Sequence, residues 1–198
     1  EYIIPLISVI LPFFNAEETL NRAIKSIANQ SYSDFECILI NNNSTDKSIS
    51  IANEWSKKDK RFIVINEERQ GVAHASNKGF EVAKGKYIAR MDADDFSLPN
   101  RLKLQSEFLE TNPEYGAVGG LVEYIPHSLF TEGFQRYVDW SNSIITYKEI
   151  LLNQFVEMPI VNPSAMWRKD VAIKYGLYLD GDFPEDYEMI LRWLEAGL

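Results

Sequence analysis

Three carboxylates stand within four residues at Asp92-Ala93-Asp94-Asp95, directly after the apolar run Tyr87-Ile88-Ala89-Arg90-Met91. Carboxylates packed this closely repel one another and raise each other's pKa unless a cation or hydrogen-bond donors compensate them. A divalent metal held by Asp oxygens, with its remaining positions open to phosphate or water, supplies that compensation. The plain alternative is a solvated acidic loop that follows a strand. Far downstream, Glu185-Asp186 opens a helical-looking segment. Taken alone, that pair is a favourable arrangement of negative charge at a helix N-terminus.

The elements around these residues decide where they meet. Residues 6–12 read as a strand covered on both faces, followed by a helix that Asn15 can cap, with Leu20, Ala23, Ile24, Ile27 and Ala28 on one side. A strand over 35–40 and the polar loop Asn41-Asn42-Asn43-Ser44-Thr45-Asp46 follow. Ser44 or Thr45 then caps a helix carrying Ile49, Ala52 and Trp55. A third strand over 62–65 precedes a helical face of Val72, Ala75, Ser76, Gly79, Phe80 and Ala83, whose small residues suit close packing on a sheet. The fourth strand, 87–91, runs into the acidic cluster, and Pro99 opens a helix with Leu102, Phe108 and Leu109.

This alternation specifies an α/β fold with a mostly parallel central sheet and helices on both faces. In such a sheet the loops leaving the strand C-termini share one edge, so residues 12–15, 41–46, 67–71 and 92–95 should converge. Past Pro113 the alternation fades. Residues 117–125 read as a strand with a bulge at Gly119-Gly120, 126–143 as an aperiodic loop, 147–153 as a helix, 164–168 as a strand and 184–196 as a helix.

At 198 residues, the chain is expected to be one domain, with a regularly alternating half over 6–112 and a less patterned half over 113–198. A net charge of −9 argues against nucleic acid as a partner, since counterion displacement needs a basic face. The single cysteine, Cys37, lies in an apolar run and reads as core. His74 and His127 are too far apart and too few for a histidine metal site. No stretch is long enough to span a membrane, which points to the cytoplasm or the cytoplasmic face of a membrane. The absence of an initial Met and the ending at Leu198 suggest a C-terminal truncation, with peripheral membrane association through missing segments.

Five segments, in order, resemble the family 2 glycosyltransferases, inverting enzymes of the GT-A fold. They are Ser8-Val9-Ile10-Leu11-Pro12-Phe13-Phe14-Asn15; Asn43-Ser44-Thr45-Asp46; Asn77-Lys78-Gly79 with Gly85-Lys86-Tyr87-Ile88-Ala89; Asp92-Ala93-Asp94-Asp95 with Leu98-Pro99-Asn100-Arg101-Leu102; and Pro184-Glu185-Asp186-Tyr187-Glu188. The resemblance implies that Asp94, helped by Asp92, holds Mn²⁺ or Mg²⁺ on a nucleotide diphosphate, with Asp92 also touching the ribose. It implies that Asp186 is the catalytic base and that Pro12, Phe14, Glu17 and Asn42 bind the nucleoside, Phe14 by stacking near the base. Asp95 divides evenly between helix-proximal charge and a direct role.

Two departures accompany the match. Asn41-Asn42 stands where many members carry paired aspartates, and an amide both accepts and donates, which loosens the preference for uracil. Ser76 stands where Arg is frequent, leaving Lys78 or Arg69 as the phosphate contact. Trp140, Trp167 and Trp193 are core or interface residues or sugar platforms, Trp167 foremost among the latter; Arg192-Trp193 lacks the accompanying Gln positions of processive synthases.

The expected activity is metal-dependent inverting transfer of a sugar from a nucleotide-diphosphate sugar, a UDP-sugar foremost, to a hydroxyl of a glycan or lipid-linked acceptor in polysaccharide or cell-surface glycan synthesis. The alternatives are a sugar-nucleotide pyrophosphorylase, which calls for a Gly- and basic-rich loop where Pro12-Phe13-Phe14-Asn15 stands, and a non-catalytic nucleotide-sugar-binding module, which could dispense with Asp186.

Overall fold

The computed structural model describes residues 5–126 and 132–198. Its strands are β1 (Ile7–Phe13), β2 (Phe35–Asn41), β3 (Phe62–Asn66), β4 (Tyr87–Arg90), β5 (Ala117–Val118) and β6 (Met166–Arg168), joined in one sheet of order β3-β2-β1-β4-β6-β5. The first four are mutually parallel, while β6 runs antiparallel to both β4 and β5. The helices are α1 (Leu20–Ala28), α2 (Ser48–Lys58), α3 (Val72–Val82), α4 (Arg101–Thr111), α5 (Glu132–Asn142), α6 (Tyr147–Asn153), α7 (Lys169–Tyr175) and α8 (Glu185–Glu195).

Every residue of β1 is buried because it sits between two layers. Val9 and Leu11 enter one core with Leu20, Ile24 and Ile27 of α1 and Leu102 and Leu109 of α4. Ile10 turns to the opposite core with Ile38, Ile40, Ala75, Trp167 and Trp193. This one-residue alternation explains why β1 and β2 read as continuous apolar runs. Helix α3 approaches the sheet closely: a Cβ at Gly79 would lie 2.7 Å from Ile40 and 2.9 Å from Ile10.

The C-terminal half departs from the sequence expectation. The strand anticipated over 117–125 ends at Val118. Beyond it the backbone finds side chains instead of a strand: the Gly120 N–H donates to Ser164 Oγ at 3.1 Å, and the Asn142 amide pairs with both the N–H and the carbonyl of Val122. Part of the anticipated loop over 126–143 is helix α5, whose exposed Phe134 blurs the apolar period. Helix α7 was not anticipated, and the 164–168 strand begins at Met166. The anticipated caps also differ. Asn15 precedes α1 by several residues with φ of 46° and accepts from the Thr45 N–H, while Asp46, not Ser44 or Thr45, receives the Ser48 N–H that opens α2.

Candidate active site

The parallel strands deliver their C-terminal loops to one edge, and side-chain bonds lace the first two loops together. Asn15 N–H donates to Ser44 Oγ, Ala16 N–H to Ser48 Oγ, Glu17 N–H to Asp46, and Lys47 N–H to Glu17 Oε2, all between 2.8 and 3.1 Å. Pro12 is buried in β1, whereas Phe14 projects with 52% of its surface exposed. Glu17 is exposed, with one carboxylate oxygen committed to the loop.

Asn42 is placed differently from the expectation. It is buried, and its amide nitrogen donates to the carbonyls of Glu67 (3.0 Å) and Arg69 (2.7 Å) while its oxygen accepts from the Gly71 N–H (2.8 Å). Those bonds fasten the β2 loop to the start of α3 and leave the amide no face toward a base. Asn43 takes φ of 64°, the left-handed conformation that Asn tolerates better than most residues. Lys78 pairs with Glu81 at 3.0 Å and Arg69 with Glu67 at 2.9 Å, so both expected phosphate contacts are engaged by carboxylates.

At the end of β4, Asp92, Asp94 and Asp95 bring carboxylate oxygens to within 4.8 Å of one another. Burial, then the charges of Asp92 and Asp94, push the Asp95 carboxyl up to about 6. The neighbouring carboxylates add to the effect of burial there, while Arg101 and Arg90 oppose it. Three hard oxygen donors at this spacing fit Mn²⁺ or Mg²⁺. The Arg22 guanidinium donates to the Asp94 carbonyl at 2.7 Å and fixes the loop without covering its carboxylates.

Helix α8 brings its N-terminus to the same place. Asp186 accepts from the Tyr187 N–H at 2.8 Å. Its pKa is raised by burial and further by the charge of Asp92, against the pull of Arg90. Glu185 is raised by burial too and feels Asp186, Arg90 and Asp92. The two acidic motifs, more than 90 positions apart, thus share one electrostatic neighbourhood. A carboxylate kept above its usual range holds a proton more readily, as a general base must.

Sequence reasoning assigned no role to Arg90 or Tyr178. Arg90 is buried in β4 and pairs with Asp92 at 2.7 Å, while the buried Tyr178 phenol nearby donates to Asn162 at 3.0 Å. A lone charge in an apolar strand, two positions before an Asp and hence on the same face, is the signal that could have found the pair. Trp167 and Trp193 are core residues, 1% and 2% exposed, so Trp167 offers no sugar platform. Arg192 is spent on Glu188 and the carbonyls of Tyr175 and Leu177. His74 meets Asp180 at 3.1 Å, and His127 lies outside the described residues. A separate apolar cleft of about 560 Å³ runs along β5, walled by Tyr115, Val118, Leu121, Ile160, Trp193 and Leu198, with Glu114 as the one charged residue among the described lining. Among the described residues, no helix is long and apolar enough to cross a membrane.

Comparison with known proteins agrees with this architecture. An uncharacterized glycosyltransferase of Haemophilus influenzae is 34% identical over 98% of this chain, and this chain spans 60% of that relative's length. The mannosyltransferase PcManGT from Pyrobaculum calidifontis, solved in complex with GDP-Man and Mn²⁺, superposes with a TM-score of 0.73 at 20% identity, covering 99% of this chain and 54% of the other. S. aureus TarS 1–349 in complex with UDP-GlcNAc superposes with a TM-score of 0.69 at 19% identity, covering 94% and 52%. The sheet and its flanking helices are therefore a GT-A fold. The sequence profile of glycosyl transferase family 2 matches residues 8–176, and the chain belongs to that family.

Proposed function

We propose that this chain is the catalytic domain of a metal-dependent inverting glycosyltransferase that moves a sugar from a nucleotide-diphosphate sugar to a hydroxyl of a glycan or lipid-linked acceptor. The observation that supports the reading is the cluster of Asp92, Asp94 and Asp95 carboxylates at the end of β4, with the charge of Asp92 felt by Asp186 at the start of α8. Two solved proteins of this fold bind a nucleoside-diphosphate sugar, one of them with Mn²⁺.

Asp94 and Asp92 would hold the divalent cation, which would supply positive charge to offset the charge that grows on the departing diphosphate. Phe14, exposed beside the first loop, offers its ring to the base, and Pro12 and Glu17 shape the same wall. Asp186 takes the proton of the acceptor hydroxyl. As that proton leaves, the acceptor oxygen forms its bond to the anomeric carbon and the bond from that carbon to the phosphate oxygen breaks on the opposite face. A single displacement of this kind inverts the anomeric configuration.

The test is Asp186→Asn. Binding of UDP or GDP in the presence of Mn²⁺, followed by thermal stabilisation, is expected to match the wild type, while turnover of the donor falls by about 10²-fold or more. Undiminished turnover would remove Asp186 from the role of base. Failure of every nucleoside diphosphate to stabilise the wild type would overturn the donor site itself.

A further inference from the structure

Beneath the three carboxylates lie two guanidinium groups. Arg90, 2% exposed, pairs through Nη2 with Asp92 Oδ1 at 2.7 Å and donates through Nη1 to the Met91 carbonyl. The buried Tyr178 phenol lies nearby, and the Arg90 Nε has no hydrogen-bond partner among the described residues. Arg101 donates through Nη2 to the carbonyls of Arg90 at 2.7 Å and Ala165 at 3.1 Å, and its charge acts on Asp95 and Asp92. Three carboxylates therefore face two guanidinium groups, with Glu185 and Asp186 adding negative charge nearby, so the cluster stays net negative.

Packing does not explain a charge at position 90. Its strand neighbours Tyr87, Ile88 and Ala89 are buried, and a methionine or leucine there would fill the space without the cost of desolvating a guanidinium. What Arg90 changes is the field at the carboxylates. A bare divalent cation approaching them is repelled by it, whereas a cation already bound to a nucleoside diphosphate carries net negative charge and is attracted.

We propose that Arg90 is a specificity-determining residue that makes the carboxylate cluster prefer a divalent cation joined to a diphosphate over the free cation. The inference rests on the metal and diphosphate reading of the site given above. One unit charge several ångströms from a divalent ion at a partly solvated site shifts affinity by about tenfold or more, so the effect is within reach of titration.

The experiment compares wild type with Arg90→Met, Arg90→Gln and Arg90→Lys by isothermal titration, first with Mn²⁺ alone and then with UDP and GDP at saturating Mn²⁺. The neutral variants are expected to bind Mn²⁺ alone about tenfold more tightly and the nucleotide about tenfold more weakly, in opposite directions. Arg90→Lys, which restores the charge without the fork, is expected to recover both values to within about threefold of wild type. A general loosening of the site weakens both ligands together, and that result overturns the proposal, as does a lysine variant that behaves like the neutral ones. Should Arg90→Met fail to fold by circular dichroism, Arg90→Gln carries the comparison, because it keeps an N–H donor for the Met91 carbonyl. If wild type binds Mn²⁺ but neither nucleotide in its presence, the diphosphate reading itself fails, and the same titration tells the two failures apart.

Discussion

Asn42 spends both halves of its amide on the backbone of the segment between β3 and α3, donating to Glu67 and Arg69 and accepting from Gly71. Its chemistry is therefore that of a clamp, and the clamp requires an amide. Asn42→Asp, an isosteric change, would leave two carbonyls without donors and aim a carboxylate at them. The expected loss of stability is about 3 kcal/mol, read from the shift in urea midpoint at constant slope. The identity of this residue was legible in the sequence, but its partners were not. An Asn in a strand-end loop looks the same whether it faces a ligand or a neighbouring backbone. Asp92 and Asp94 were easier to single out because three close carboxylates demand compensation whatever surrounds them, whereas Asp186 stood out only through the family resemblance. Arg90 was passed over because its meaning lies in a pairing two residues on, at the point where the strand ends.

At the scale of elements, α3 shows how far a residue pattern can be trusted. Its small residues predict a close approach, and the Cβ distances of 2.7 and 2.9 Å above Gly79 bear that out. Gly79→Ala must displace Ile40 or Ile10 inside a filled core, and is expected to cost about 1–3 kcal/mol despite the better helix propensity of alanine. A gain in urea midpoint would mean that the helix can slide away from the sheet. The four parallel strands and their helices were legible for a related reason: burial on both sheet faces imposes long apolar runs, and each following helix repeats at 3.6 residues. The C-terminal half gave weaker signals. Strands β5 and β6 have two and three residues, too few for a period. The polar side chains expected to cap α1 and α2 instead tie the first two loops together, which is a tertiary role that local sequence cannot announce.

Across the whole molecule, carboxylates fall into two populations with opposite shifts, and together they set how stability depends on pH. Glu67 is held down at about 2 by the Arg69 side chain and backbone N–H, and Asp59 is lowered by Arg61. A carboxyl lowered in the folded state contributes stability above its unfolded value and loses it as pH falls toward the folded one. Glu185 and Asp186 are raised, chiefly by burial. For them the folded state binds protons more readily, so their contribution is full at low pH and is lost as pH rises through the folded value. With a net charge of −9, general self-repulsion also eases as carboxyls protonate. With the Asp95 carboxyl also pushed up to about 6, the urea midpoint in metal-free buffer is expected to rise as pH is lowered from about 7 toward about 5 and to fall below about 4.5. Glu67→Gln should flatten the acid limb, because its paired carboxylate no longer titrates, and leave the limb between pH 5 and 8 with its slope unchanged. Asp186→Asn should act in the opposite direction, removing a contribution that is lost as pH rises. A midpoint that climbs without a maximum up to pH 8 would mean that the carboxylates at the sheet edge carry no net burden in the folded protein, and the crowding invoked for the proposed cation site would have to be abandoned.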